Sequence, residues 1–280
     1  MRWWLLSRLW LDSDLFFGEN ATAARFFLGS SVLLNNCRFL WGLTKGGLPV
    51  YPAAEGVPIP WLYGPPHCGK SVLGKLVRAL NGARLGVKLK EFTGAYLERI
   101  CARGTAPLVV DDVVVTQEFG QRMCEISRSI FDGGQRGRMG SAADVPSSNN
   151  SLQLPQPRCG VMLVVNEAPP STVDDAANQR ITPLRFKLTP NFTASTEFPS
   201  AFVGTGLLTA CAGDWVSIGP LLNKWAISDC VLAVVAGAGG PPITREDINY
   251  GKVLCATLVL TAHLAAGARV EISRCLLYTS

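Results

Sequence analysis

The sequence predicts an α/β fold in which a parallel sheet is flanked by helices. Short apolar runs that end at glycine or at polar residues are typical of buried strands, and here they alternate with segments of helical periodicity. The first run leads into a glycine-rich loop, which is followed at once by an amphipathic helix. The predicted strands cover Pro58–Tyr63, Gly86–Leu89, Pro107–Val110, Cys159–Val165 and Thr182–Leu188.

Helices are predicted between and around these strands. After Lys70, apolar residues recur at helical spacing as far as Leu80, and Asn81-Gly82 ends the pattern. The first fifty residues are also predicted to be helical and to pack on the core. Further helices are predicted over Ala95–Ala102, Thr116–Phe131, Leu207–Val235 and Arg245–Ala266.

The composition is that of a globular protein with a sizeable core. The 280 residues are 48% hydrophobic and 17% charged, and the net charge of +5 is spread along the chain. This charge permits a nucleic-acid partner without requiring one. The nine cysteines form no Cys-x-x-Cys pair and there are only two histidines, which argues against a zinc site and favours reduced, buried thiols.

Three regions are predicted: a helical N-terminal segment (1–50), a core domain (51–190) and a mainly helical C-terminal region (191–274). The apolar start is a poor signal peptide, and the apolar run Val253–Ala266 is shorter than the ~20 residues of a membrane span. We therefore expect no membrane segment and a cytoplasmic protein. Residues 275–280 match the translation of a transposon end used in preparing sequencing libraries, so we expect the natural chain to differ there.

The glycine-rich loop reads Gly-Pro-Pro-His-Cys-Gly-Lys-Ser and predicts a phosphate loop (P-loop) of an ATPase. Backbone N–H groups from His67 to Ser71 should surround the β-phosphate at the positive end of the following helix. Lys70 should reach the β- and γ-phosphates, and the Ser71 hydroxyl should bind Mg²⁺. The alternative is a glycine turn with an exposed lysine. The predicted ATP-binding residues are Gly64, Pro65, Pro66, His67, Cys68, Gly69, Lys70 and Ser71.

Two aspartates end the strand that begins at Pro107. An aspartate at a strand tip beside the loop can hold Mg²⁺ through water, and a neighbouring carboxylate can orient and activate the attacking water. We assign Asp111 to the metal and Asp112 to the water. The alternative is that the pair caps a helix or forms a turn.

Polar residues after the next two strand signals complete the candidate site. The side-chain amide of Asn166 can bind the γ-phosphate or the attacking water, although asparagine after a strand is also a common turn residue. Arg180 is a candidate arginine finger, a cation that stabilises transition-state charge and can come from a neighbouring subunit. Arg185 is the rival for that role, and an ordinary surface arginine is the alternative for both.

The long polar stretch Gly133–Pro157 carries a possible nucleic-acid contact. Loops of this length in a compact domain are usually functional or mobile. Arg136 and Arg138 lie between glycines near its start, which is suited to contacts with a nucleic-acid backbone. Ordinary exposed arginines are the alternative.

Residues 61–188 together resemble a superfamily 3 helicase domain, the AAA+-related ATPase of phage, plasmid and viral replication proteins. The nearest likeness is to the helicase half of phage, plasmid and poxvirus-type primase-helicases. The loop resembles the family's first motif and Val109–Asp112 its second. The stretch Ile130–Arg138 resembles the glycine-basic segment before a DNA-contacting hairpin. The run Val165–Pro170, followed by Asp174-Asp175, Arg180 and Arg185-Phe186, is similar to the family's asparagine strand, proline turn and arginine before the last core strand.

The resemblance implies an ATP-driven DNA helicase or translocase of phage or mobile-element replication. It implies a ring, usually a hexamer, in which Arg180 of one subunit faces the phosphates bound by the next. Single-stranded DNA and a primase domain or protein are the expected partners, although no primase signature is present. Two alternatives stay open: an AAA+-like ATPase that acts on protein or as a switch without DNA, and a nucleotide-binding assembly module. The second is conceivable because Asp112 replaces the longer glutamate commoner in related ATPases.

Overall fold

The described part of the chain forms a four-stranded parallel sheet at its centre. The computed structural model describes residues 6, 10, 16–44, 47–51, 56–82, 93–131, 157–188, 215 and 218–278. The strands pair in the order β2-β3-β1-β4, and every pair is parallel. The predicted α/β fold with a parallel sheet flanked by helices is therefore confirmed. The strands are β1 (Ile59–Tyr63), β2 (Leu108–Asp111), β3 (Val161–Val164) and β4 (Ile181–Arg185).

Helices connect and cover the strands, and several begin at a residue whose side chain accepts a hydrogen bond from the first turn of the helix. Thr93, Asp174 and Asn223 each accept a hydrogen bond from the backbone N–H three residues further on. The α-helices are α1 (Ala21–Asn35), α2 (Cys37–Thr44), α3 (Lys70–Leu80), α4 (Gly94–Arg103), α5 (Gln117–Phe131), α6 (Asp175–Asn178), α7 (Lys224–Gly237) and α8 (Arg245–Tyr278).

Strand residues alternate between two hydrophobic cores, one on each side of the sheet, as the two-residue period of a strand requires. One side, face A, is covered by α1, α3, α7 and α8, and the other, face B, by α4, α5 and α6. Face A carries Leu62, Val109, Met162, Val164 and Leu184. Face B carries Ile59, Trp61, Leu108, Val110, Val161, Leu163 and Ile181.

The core on face A unites all three regions that the sequence predicts. Leu28 of α1, Leu73 of α3 and Val253 of α8 are all fully buried in it. The first helices therefore pack on the core, as predicted for the N-terminal segment. Residues outside 51–190 also stabilise the sheet, because α8 packs against β4 and, at the same time, against α1 and α7.

Most predicted elements agree with the structure to within a few residues at each end. The largest difference is at α8, which continues to Tyr278 rather than ending at Ala266, since no proline interrupts it. The predicted strand Gly86–Leu89 and the polar stretch from Gly133 up to residue 156 lie outside the described residues, as do the first residues of the predicted helix Leu207–Val235.

Among the described residues one helical segment, Arg245–Ala266 within α8, is long and apolar enough to cross a membrane. Of this segment's apolar window 56% is buried inside the protein, against neighbouring helices and β4. Two polar side chains, Asn249 and Lys252, are buried within it and donate hydrogen bonds to backbone carbonyls elsewhere in the fold. These contacts are those of a core helix.

Candidate functional site

The loop Gly64–Ser71 joins the end of β1 to the start of α3 at the edge where the parallel strands end, called here the carboxyl edge. Gly64 needs to be glycine, because a Cβ atom there would lie 2.3 Å from the carbonyl oxygen of Phe186. Gly69, with φ 92°, takes a left-handed conformation directly before the helix. His67 takes the same region with φ 61°, which is uncommon for a residue with a side chain.

The ammonium group of Lys70 is held inside this loop. Its Nζ atom donates hydrogen bonds to the carbonyl oxygens of Gly64 at 2.7 Å and Pro65 at 2.5 Å, and lies 3.5 Å from the sulfur of Cys68. The residue is 6% exposed. A cation is therefore fixed at the beginning of α3, where the loop turns into the helix, and this excludes the alternative of an exposed lysine on a turn.

Ser71 and Asp111 meet although they are distant in sequence. Their Oγ and Oδ1 atoms are 3.1 Å apart, and Asp111 is 4% exposed. The contact arises because Asp111 follows Val109 by two residues on β2 and so belongs to face A, which α3 covers. Gly74 of α3 faces the side chains of Val164 and Val109, and a Cβ atom there would make ordinary van der Waals contact with them at 3.4–3.5 Å, so the helix packs directly on these two strands.

Asp112 and Asn166 lie beside this pair at the ends of adjacent strands. The backbone N–H of Asp112 still bonds to the carbonyl of Val164 at 3.1 Å, and then the chain leaves the strand with φ 67° at Asp112. Aspartate tolerates this conformation better than most residues. Asn166 follows β3, which lies between β1 and β2, so its backbone stands between the loop and the aspartates. Both side chains are exposed at the surface.

These residues surround a cleft of about 380 Å³ at the carboxyl edge of the sheet. Open parallel sheets commonly bind ligands at this edge, and the volume falls within the range of small-molecule sites. The structure thus brings together the loop, both aspartates and Asn166, as the sequence predicts. The cleft is lined by Pro66, His67, Cys68, Gly69, Lys70, Ser71, Val72, Asp111, Asp112, Val164, Val165 and Asn166.

Arg180 lies at the opposite, amino-terminal edge of the sheet. It directly precedes β4, and its carbonyl oxygen accepts the N–H of Ile59 at the start of β1. The length of a five-residue strand therefore separates it from the loop, about 15 Å. Arg185 is instead paired with Tyr63 at the carboxyl edge and is exposed, although it does not line the cleft. Arg136 and Arg138 lie outside the described residues.

The donor set at the cleft fits a magnesium ion that is held mainly by a nucleotide. Mg²⁺ in such sites takes one or two protein oxygens and completes its shell with phosphates and water. Ser71 and Asp111 supply a hydroxyl and a buried carboxylate at this spacing. A metal bound by protein alone is a different case, because within the described ranges no group of three or more His, Cys, Asp or Glu side chains could hold one.

The cysteines in the described part of the chain are free thiols, as predicted from their spacing. Burial is the main cause that raises the pKa of Cys37. A thiol hydrogen bond between Cys101 and Cys159 raises the pKa of Cys101 and lowers that of Cys159. Cys68 lines the cleft, where its thiol lies 3.0 Å from the carbonyl oxygen of Pro65.

No family model, curated protein or solved structure matches this chain. The chemistry of the cleft therefore rests on the geometry described above.

Sequence reasoning missed a second group of charged residues, at the amino-terminal edge. Arg180, Arg245 and Lys252 gather around the ring of Phe131, the last residue of α5. The sequence marks Phe131 and Arg245 only as the end and the start of predicted helices. No local pattern signals that these ends meet, since 114 positions separate them in the numbering (245 − 131).

Proposed function

We propose that this chain is an ATP-hydrolysing motor of the helicase or translocase class, which binds ATP and Mg²⁺ in the cleft at the carboxyl edge. The observation that carries the proposal is the Ser71–Asp111 contact of 3.1 Å in the same cleft as the buried Lys70. A glycine loop alone is compatible with many turns. A buried cation, a hydroxyl and a carboxylate converging at a helix N-terminus match what a magnesium triphosphate requires.

The loop and the first turn of α3 would bind the phosphates. The first N–H groups of an α-helix have no acceptor within the helix, so they are available to an anion placed at its end. Lys70 would add a charged donor next to them, and its present bonds to the Gly64 and Pro65 carbonyls keep it in position. Ser71 and Asp111 would hold Mg²⁺, which neutralises charge on the transferred phosphoryl group when bound.

Asp112 and Asn166 would act on the water that attacks the γ-phosphate. The positive φ of Asp112 takes the chain out of β2 immediately after Asp111, so the two carboxylates need not serve the same ligand. Asp111 is buried beside Ser71, whereas Asp112 is exposed at the cleft, as a general base that meets water should be. Asn166 stands on the neighbouring strand and would orient that water or the γ-phosphate with its amide.

Single-stranded DNA is the proposed polymer on which the motor works, and the resemblance to superfamily 3 helicases supports this choice. The same resemblance supports a ring. In a ring of identical copies, a cation at the amino-terminal edge of one copy can reach the cleft of the next through a head-to-tail interface. Arg180 is at that edge, about one strand length from the cleft of its own chain, which favours a role between copies over a role within one.

Phosphate release measured with and without a single-stranded oligonucleotide tests the proposal. We expect magnesium-dependent ATP hydrolysis that single-stranded DNA accelerates. Hydrolysis without any response to a nucleic acid would instead identify an ATPase that acts on protein or as a switch. Nucleotide binding without turnover would identify an assembly module, and no binding of ATP at all would contradict the proposal as a whole.

The DNA contact is tested by changing Arg136 and Arg138 to alanine together. The expected result is loss of the stimulation with basal hydrolysis retained, because the role proposed for these arginines is on the DNA backbone and not on the triphosphate. The matched control changes Arg99 and Arg103 to alanine, two exposed arginines on α4. Unchanged stimulation in the Arg136/Arg138 variant would remove both residues from the DNA site.

A further inference from the structure

The ring of Phe131 collects three cationic groups from two separate parts of the chain. The Cζ atom of Arg180 is 5.4 Å from the ring centroid, that of Arg245 is 6.0 Å away, and Nζ of Lys252 is 5.9 Å away. All three distances lie within the range of cation–π attraction. The ring itself is 1% exposed, so it forms a buried floor below the guanidinium groups.

Backbone contacts fix this floor in place. The carbonyl oxygen of Phe131 accepts hydrogen bonds from the Val57 N–H at 3.1 Å and the Trp41 indole at 3.2 Å. The ring lies against Gly56, where a Cβ atom would come within 2.1 Å of it. Lys252, fully buried, donates from Nζ to the carbonyl of the same glycine at 2.7 Å. Lys252 therefore stabilises the floor, and the two half-buried arginines form its accessible part.

The start of α8 positions Arg245 relative to Arg180. Thr244 and Asp247 cap the helix reciprocally, with the backbone N–H of each bonded to the side chain of the other. Further along α8, Nδ2 of Asn249 donates a hydrogen bond of 2.7 Å to the carbonyl of Gln179. Gln179 is the residue before Arg180. This hydrogen bond links the first turns of α8 to the backbone next to Arg180 and so fixes Arg245 relative to Arg180.

The place of Arg245 in α8 is unfavourable for the helix itself. A cation in the first turn opposes the helix dipole, which favours acidic residues there such as Glu246 and Asp247. The described interaction of Arg245 is with the Phe131 ring and not with either of these carboxylates. The Arg245 guanidinium therefore does not stabilise the helix, and it is suited to binding an anion from outside the chain.

We infer that Arg245 is a second cation of the intersubunit site, acting beside Arg180 on the triphosphate held in the loop of another copy. This inference rests on the proposed ATPase function. Both guanidinium groups lie at the amino-terminal edge, on the far side of the sheet from their own cleft, so they cannot reach the nucleotide of their own chain. Nη1 of Arg180 donates to the carbonyl of Ala176, so Arg180 offers only part of its guanidinium, and Arg245 beside the same ring adds a second planar fork of donors that suits phosphate oxygens.

The test uses Arg245→Gln, which keeps most of the apolar stem but removes the charge. We expect kcat for ATP hydrolysis to fall by about 100-fold, the range for loss of one positioned transition-state donor, with nucleotide binding to isolated copies unchanged and the thermal midpoint lowered only by the small contribution of one cation–π contact. Arg245→Lys should recover part of the rate, since it restores the charge without the planar fork. Arg122→Gln is the matched control, an exposed arginine that pairs with Glu118 on α5.

Mixing variants separates a contribution between copies from one within a copy. Arg245→Gln copies retain an intact loop and Lys70→Ala copies retain both arginines, so mixed rings should regain part of the activity. Mixing Arg245→Gln with Arg180→Ala should restore nothing, because each copy then supplies an incomplete pair. A purely structural role for Arg245 predicts that kcat falls only as far as the thermal midpoint falls, with no such pattern in the mixtures.

Three results would overturn the inference while leaving the ATPase proposal intact: an unchanged kcat in Arg245→Gln, a reduced kcat that mixing with Lys70→Ala fails to restore, or loss of DNA stimulation alone with basal hydrolysis kept. The last would make Arg245 a contact for the nucleic-acid backbone. Failure of the wild-type chain to bind ATP is a distinct outcome, because it contradicts the proposed function itself and with it the inference.

Discussion

The hydroxyl oxygen of Ser71 and the Oδ1 atom of Asp111 lie 3.1 Å apart, although the residues are 40 positions apart in the chain. The helix that follows the loop and the strand that ends at Asp111 are brought together on face A of the sheet. Asp111 is 4% exposed and so has little contact with solvent, and the Ser71 hydroxyl is a close polar neighbour of its carboxylate. A divalent cation bound by a nucleotide would find both oxygens in place.

Replacing Asp111 by asparagine keeps the size of the side chain and removes its charge. We expect magnesium-dependent hydrolysis to fall by about 100-fold or more, equivalent to about 2.7 kcal/mol of transition-state stabilisation. ATP binding in the absence of Mg²⁺ should change little. Phosphate release and nucleotide titrations with and without Mg²⁺ make the measurement.

Asp112→Asn is the matched variant, because Asp112 directly follows Asp111 in the chain and is exposed in the same cleft. It should lose hydrolysis but keep the magnesium-dependent gain in nucleotide affinity, because we assign it to the attacking water. Equal loss of metal-dependent binding in both variants would contradict the separate roles of the two aspartates.

Lys70→Ala removes the buried ammonium from the loop. We expect ATP affinity to weaken about 10- to 100-fold, because a hydrogen bond to a charged group contributes about 1.5–3 kcal/mol. Hydrolysis should fall with it. Lys75→Ala is the control, since Lys75 lies on the exposed side of the same helix and does not line the cleft. Calorimetric titration with a non-hydrolysable ATP analogue would detect the difference, and equal affinities in the two variants would argue against a phosphate site.

The sequence was sufficient to predict the parts of the fold that depend on neighbours in the chain. The β1–loop–α3 unit is an example, since an apolar run, a glycine pattern and a helical period follow one another within residues 58–80. The meeting of Asp111, Asp112 and Asn166 with the loop was also predictable, because parallel strands end at a common edge.

Contacts that depend on the order of the strands in the sheet, or on where the ends of helices meet, could not be predicted from neighbouring residues in the sequence. Nothing local specifies that β3 lies between β1 and β2, or that Arg180 and Arg185 stand at opposite edges of the sheet. The approach of Arg245 to Phe131 depends on α8 crossing β4, which is a contact between distant segments. The left-handed backbone at Asp112 likewise depends on how the strand end is packed.

Tyr250 couples the stability of α8 to pH. Its hydroxyl donates to the carbonyl of Pro183 at 2.9 Å, and burial, followed by the nearby Glu246 and Tyr63, raises the pKa of Tyr250 to about 12. Below the ordinary value of 10.0 the phenol is neutral in both folded and unfolded chains. Above it the unfolded chain releases the proton first, so this group's contribution to the free energy of unfolding decreases as the pH rises toward 12.

The expected result is that wild-type protein loses more stability between pH 10.0 and about 12 than Tyr250→Phe does. At neutral pH the variant should be less stable by about 1 kcal/mol, the contribution of one hydrogen bond. Urea unfolding of both proteins on either side of pH 10.0 makes the comparison. Parallel pH profiles would show that Tyr250 titrates normally in the folded chain.

Arg180 provides the sharpest test of a ring, because the chain holds its guanidinium over Phe131 at the edge opposite the cleft. Arg180→Ala should lower kcat by about 1000-fold, in the range for an arginine finger, while each copy still binds ATP. Adding Lys70→Ala protein should restore part of the rate, since the two variants complete one another's site only across an interface. Arg185→Ala, at the carboxyl edge, is the comparison: if Arg185 were the finger acting within its own chain, its loss would abolish hydrolysis and no mixture would recover it.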